Sequence, residues 1–174
     1  MTTGHGAGTD FRARIVAALP RLRRFCEAMA GGPHDGDDLM QATVERALTR
    51  QDRFDPATRI DSWMFRIAQN LHIDRVRAGK RRGTSVEIEE AMDLTGDDGR
   101  AVVEGRSDLD RVHAVLAELS QDQRATFLLV VIEEMSYAEA AETLGVPIGT
   151  VMSRIARARA RINASLRPEA QVRP

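Results

Sequence analysis

The chain has 174 residues, 43% of them hydrophobic, which is enough for one ordinary domain or two small ones with packed cores. One Trp, one Tyr and five Phe, in a chain rich in Ala, Leu and Arg, favour helical packing over sheets. A formal net charge of −1 excludes binding nucleic acid by bulk attraction, and a single cysteine excludes an internal disulfide. No run resembles a signal peptide or reaches transmembrane length, so the cytoplasm is the expected compartment and no membrane partner is expected.

Residues 1–10 are Gly- and Thr-rich without periodicity and are expected to be disordered. Phe11, Ile15, Leu19, Leu22 and Phe25 then recur at helical spacing, with Pro20 placed to kink or divide the helix. Cys26 falls in this apolar pattern, which predicts a buried, inert thiol rather than a redox sensor. GGPHDGD breaks the chain, and His34 within it is read as an isolated loop histidine, so no metal is expected. A helix from Asp37 to about Arg50 follows, its start favoured by two aspartates at the positive end of the helix dipole. Leu39, Met40, Thr43, Val44 and Ala47 make its buried side, and Asp38, Gln41 and Glu45 form a separate polar stripe. A plain solvated face explains that stripe equally well.

Residues 51–61, QDRFDPATRID, read as a Pro-turn loop with Phe54 exposed. The helix after it runs from about Ser62 to Lys80, with Ile60, Trp63, Met64, Ile67 and Leu71 on one side and Arg66, Asn70 and Arg77 on another. An aromatic loop beside Arg and Asn, leading into a basic tail, suits a surface that holds single-stranded bases and their phosphates. Core packing of Phe54 and Trp63 with ordinary surface arginines remains the competing reading. Residues 83–107 lack periodicity and read as a flexible acidic linker, whose ends a random coil would set ~25–30 Å apart. Residues 83–110 carry nine acids against two arginines, between basic stretches at 71–82 and 148–174. That layout suits two modules that each meet phosphates, joined by a link that does not.

The second module starts near Asp108, with Leu109, Val112, Leu116 and Leu119 marking a helix and His113 at its surface or boundary. Ser120 with Gln123, and Ser136 with Glu139, are capping boxes that start the next two helices. Gly145 ends the second of these, Val146 and Pro147 turn the chain, and IGTVMSRIARARARINASL forms a last helix. Its apolar stripe is Ile148, Val151, Ile155, Ala158 and Ile162; Gly149, Thr150, Ser153, Ala156, Arg157 and Ala160 lie opposite, flanked by Arg154 and Arg161. Small residues with arginine suit a helix entering the major groove, since arginine offers guanine edges and phosphates a bidentate fork. A solvated arginine-rich face on a helical bundle gives the same pattern, which leaves both readings open.

DDLMQATVERAL, then RFDPATRIDSWMFRIAQNLHIDRVR, then LSQDQRATFLLVVIEEMSYAEAAETLGVPIGTVMSRIARARARI resemble the successive blocks of bacterial extracytoplasmic-function sigma factors of the sigma-70 family. The resemblance covers roughly residues 11–82 and 108–166, three blocks in order around a variable linker. It implies an all-α protein of two small helical domains, a region 2-like unit (11–82) and a region 4-like helix-turn-helix unit (108–167), followed by a tail (168–174). It further implies a factor that binds core RNA polymerase, reads promoter DNA and starts transcription of a stress or envelope-type regulon, commonly under an anti-sigma factor.

Carried over residue by residue, Asp38, Gln41 and Glu45 match the polymerase-docking surface. Phe54, Asp55, Arg59, Arg66, Asn70 and Arg77 match the minus-ten reader, and Thr150, Ser153, Arg154 and Arg157 match the minus-thirty-five reader. The linker resembles the segment threaded towards the polymerase active centre. Met152 departs from the basic residue the family often has there, which removes one phosphate or base contact. With no P-loop, paired nucleophile or metal-ligand cluster, neither enzyme activity nor a cofactor is expected. No heptad suggests an obligate homo-oligomer, which disfavours a dimeric repressor. A sigma mimic that only sequesters an anti-sigma protein would bring a receiver domain, for which this chain has no pattern.

Overall fold

The computed structural model describes residues 5–81 and 112–166, and among these there is no strand. Helix α1 spans His5–Ala30, α2 Pro33–Thr49 and α3 Ile60–Arg81, with a 3-10 turn at Gln51–Arg53. Helix α4 covers 112–117, α5 Gln121–Phe127, α6 Tyr137–Leu144 and α7 Ile148–Leu166, with a π-helical turn at Leu128–Ile132. The all-α class expected from composition is what the structure shows. The linker predicted at 83–107 and the tail at 168–174 lie outside the described residues.

Helices α1, α2 and α3 pack on one another through Phe11, Ile15, Leu22, Phe25, Leu39, Met64 and Phe65, all buried. The α1–α2 crossing is close because Gly36 has no side chain. A Cβ there would sit 2.5 Å from the Glu27 Cα. Cys26 is fully buried, and desolvation pushes its thiol up to about 12, so the inert reading is correct.

Two helix starts and several local details differ from the sequence expectation. Residues 5–10 are helical rather than disordered, continuing α1 backwards. Pro20 lies inside α1, on its exposed side, without dividing it. Helix α2 starts at Pro33, not Asp37, because the break is confined to Gly31 (φ 90°) and Gly32, and Pro at the first helical position needs no N–H partner. Val112 and Ile148, expected on apolar stripes, are 52% and 50% exposed, as each sits in the first turn of its helix before the chain reaches the core.

In the second unit both capping boxes form. Ser120 Oγ accepts from the Gln123 N–H at 3.3 Å, and Ser136 Oγ from the Glu139 N–H at 3.2 Å, with the reciprocal side-chain bonds present. Gly145 takes φ 66° as the left-handed cap of α6. Val151, Ile155 and Ala158 anchor α7 on the buried faces of α5 and α6. The π turn was not legible: its N–H donors reach five or six residues back, Glu133 to Leu128 O at 2.9 Å and Met135 to Leu129 O at 3.0 Å. Glu134 closes it at φ 55°, a left-handed conformation that costs a non-glycine residue roughly 1–2 kcal/mol.

Two opposite responses to glycine are expected in chemical denaturation. Gly36→Ala, normally favourable inside a helix, lowers stability here by ~1–3 kcal/mol through overpacking against the Glu27 backbone. Glu134→Gly raises stability by up to ~1 kcal/mol by relieving the left-handed strain.

Candidate nucleic-acid and polymerase interface

The two helical units touch. Arg21 on α1 donates from Nε to Glu133 Oε2 at 2.6 Å and also bonds Asp61 at the start of α3. Arg124 on α5 donates to the Met29 carbonyl across the contact and to Leu116 O, both at 2.8 Å, and His113 Nδ1 lies 3.3 Å from Gly31 O. The Glu133 side chain is 1% exposed, and among the described residues its Oε1 has no hydrogen-bond partner. Among the described cations, Arg24 lies 3.9 Å from that oxygen.

Above this contact, the loop 51–59 and α3 face α6 across a cavity of about 320 Å³. Its walls include Arg59, Ser62, Trp63 and Arg66 on one side, and Glu139 and Glu142 on the other. Arg59 pairs with Asp61 at 2.9 Å and lies 3.8 Å from Glu139. The Arg66 guanidinium rests on Gly145, where a Cβ would meet its Nη2 at 2.9 Å. Burial alone would push the Asp61 carboxyl up; hydrogen bonding and the charges of Arg59 and Arg21 outweigh it and hold the group low.

Asp38, Gln41 and Glu45 project together from α2, all exposed, with Gln41 donating to Glu45 at 3.1 Å and Arg75 bonding the Asp38 carbonyl at 3.1 Å. Asp55 organises the loop as an Asx turn, accepting from the Ala57 N–H at 2.9 Å. Asn70 and Arg77 are exposed further along α3. Phe54 corrects the sequence expectation: it is 9% exposed, packed on Phe11 at 5.5 Å and Trp63 at 5.2 Å, with Arg14 over its ring. It therefore fixes the loop to the core. On α7, Gly149, Ala156, Arg157 and Ala160 form the exposed side, and Thr150 and Ser153 are half-buried beside them. Arg154 is tied to Asp122 at 2.7 Å, with 16% of its side chain exposed. Met152 is 53% exposed, presenting apolar surface where the family often has a cation.

His34 is not isolated either. It sits in the first turn of α2 with Asp35 and Asp38, their ligating atoms within 4.8 Å of one another and all three residues exposed. Helical i, i+4 spacing, unavailable while the segment was read as a loop, creates that grouping. Among the described residues no helix is long and apolar enough to cross a membrane.

Comparison with known proteins then decides the family. Residues 109–162 match the family model for sigma-70, region 4, and residues 15–69 match that for the sigma2 domain of PhyR. The extracytoplasmic-function (ECF) sigma factor EcfG of Rhodopseudomonas palustris is 34% identical over 90% of this chain and 85% of its own length. The chain belongs to the ECF sigma factors. Among solved structures, the sigma factor RpoE of Bartonella quintana, in complex with the anti-sigma factor NepR, superposes with a TM-score of 0.74 at 31% identity. That match covers 90% of this chain and 96% of RpoE. CnrH, in complex with the cytosolic domain of CnrY, gives 0.64 at 30% identity over 91% and 86%. The protein is a transcription-initiation factor of the sigma-70 family and not an enzyme.

Burial lowers the His72 pKa from 6.5 to about 4, aided by Arg124 from the second unit and Arg75 on its own helix, against a smaller opposing effect of Asp35. The unfolded chain takes up this proton first, so the stability His72 contributes is complete above pH 6.5 and falls as pH drops towards 4. Exposed His34, raised by its backbone hydrogen bond and by Asp38 and Asp35, acts in the opposite sense. The expected outcome is a urea midpoint that declines less steeply between pH 6.5 and 4 for His72→Gln than for the parent protein.

Proposed function

We propose that this ECF sigma factor docks on core RNA polymerase through Asp38, Gln41 and Glu45. It reads the melted minus-ten element with the Asp55–Arg59 loop and the Arg66, Asn70 and Arg77 face of α3. It reads the duplex minus-thirty-five element with α7, for a stress or envelope-type regulon. The observation that carries this reading is the division of α7: Val151, Ile155 and Ala158 are buried, while Arg157 stands exposed among small residues that let the helix approach a groove. Arg157 is the principal base-reading group, with Thr150 and Ser153 beside it. Arg154 reaches DNA only after leaving Asp122.

The closed arrangement supports a second element of the mechanism. Glu139 and Glu142 face Arg59 and Arg66, where phosphates would otherwise go. In free protein the helix-turn-helix thus sets its own acids beside Arg59 and Arg66, while Asn70, Arg77 and the α7 face stay exposed. Polymerase binding separates the units, takes those acids away from Arg59 and Arg66 and holds the two faces at promoter spacing, so two weak contacts act together. Pairing with an anti-sigma protein follows the same logic; RpoE and CnrH, solved with NepR and CnrY, support it.

Arg157→Ala is expected to weaken minus-thirty-five recognition by ~1–3 kcal/mol, read as run-off transcript from matched against mismatched promoters. An equal loss on both would leave a phosphate contact only. Asp38→Arg is expected to abolish co-purification with core polymerase while leaving the thermal unfolding midpoint in place; undiminished recovery would remove α2 as the docking surface.

A further inference from the structure

Helix α1 grips the loop between α2 and α3 from one face. Phe11 meets the buried Phe54 ring at 5.5 Å, and Arg14, three residues on and so on the same face of α1, sets its guanidinium 4.8 Å from the centre of that ring. The same guanidinium donates from Nη2 to the Thr58 carbonyl at 3.1 Å. Arg21, two turns further along α1, bonds Asp61 just past the end of the loop. Within the loop, Asp55 accepts through its side chain from the Ala57 N–H at 2.9 Å, and through its carbonyl from the Thr58 N–H at 2.9 Å and hydroxyl at 2.7 Å. Among the described hydrogen bonds, Arg14 makes the one that ties residues 55–58 to another element.

We infer that Arg14 is a positioning residue for base capture, holding the Asp55–Arg59 turn in the shape that the melted minus-ten strand meets. This role rests on the minus-ten reading above and names what sets the geometry of that site. A peptide group is planar, so fixing the Thr58 carbonyl also fixes the plane from which Arg59 leaves. A turn held by its own hydrogen bonds alone would sample several shapes, and the ordering it then undergoes on binding would cost affinity. Arg14 supplies that order in advance through two contacts of different kinds, a charge-assisted hydrogen bond and a cation set over an aromatic ring. Half-buried and engaged in both, the guanidinium holds the loop rather than reaching for a phosphate.

The test uses full-length protein reconstituted with core polymerase and a fluorescent forked promoter whose minus-ten strand is single, together with copies in which each minus-ten base in turn is abasic. Arg14→Leu is expected to bind the intact probe about tenfold more weakly, the worth of one charged hydrogen bond and one cation–ring contact. The copy that is abasic at the captured position binds parent and variant alike, because the base that needed the preformed turn is gone. The slope of log affinity against log salt does not change, since no phosphate contact is lost. Core association and binding to a duplex minus-thirty-five probe stay at the parent values, and amide hydrogen exchange quickens in the 54–59 loop but not in α2 or α3. Arg14→Gln, polar but uncharged, repeats most of the loss and carries the test where exchange shows that leucine loosens the helices as well. Intact-probe affinity or loop exchange equal to the parent overturns the role, as does a slope smaller by ~0.7, which would make Arg14 itself a phosphate contact. An equal loss on every abasic copy overturns it too. A parent holoenzyme indifferent to all the abasic copies would instead sink the minus-ten reading.

Discussion

The Arg21 guanidinium, held between Asp61 of its own helical unit and Glu133 of the other, is the interaction on which the closed arrangement depends. Glu133 is almost wholly buried with one oxygen left without a hydrogen bond, so its carboxylate is tolerated only while Arg21 is beside it. A buried pair of this kind adds little net stability, yet removing one partner is expensive. Such a contact ties two bodies in a definite register and releases them when a competing surface offers more. The π turn and left-handed Glu134 exist, in this sense, to bring Glu133 out of its helix and under Arg21.

In that register, acids of one unit stand near arginines of the other, in a chain whose formal net charge is only −1. Glu139 serves twice, satisfying the Ser136 N–H at the start of α6 and standing near Arg59. Glu142, one turn on, lines the same cleft beside Arg66. Acids of α6 thus stand beside arginines of the 51–59 loop and of α3. Opening exposes both, and salt weakens the closed state by screening the same exposed charges.

Much of this was legible in the sequence because the signals are local. The two capping boxes and the Gly145 turn each depend on residues within four positions of one another and are present as read, and Val151, Ile155 and Ala158 of the α7 stripe are buried. The failures are non-local. Phe54 looked exposed because its burial comes from Phe11, more than forty residues away, and from Trp63 across the loop. The Arg154 ion pair with Asp122 could not be read because nothing in its own helix reveals that partner. The inter-unit contact was invisible for the same reason: it joins Arg21 to Glu133 and Met29 to Arg124 through no periodic pattern.

The central claim is that one pair of helical units is closed when free and parted on the polymerase. It is tested most directly by the distance between spin labels introduced at the exposed positions Leu48 and Asn163, with Cys26 left in place because its buried thiol does not react. The account predicts a single short distance in free protein that lengthens, as one population, when core polymerase is added. A distance that is the same in both states, or a free protein already spread over many distances, would contradict it.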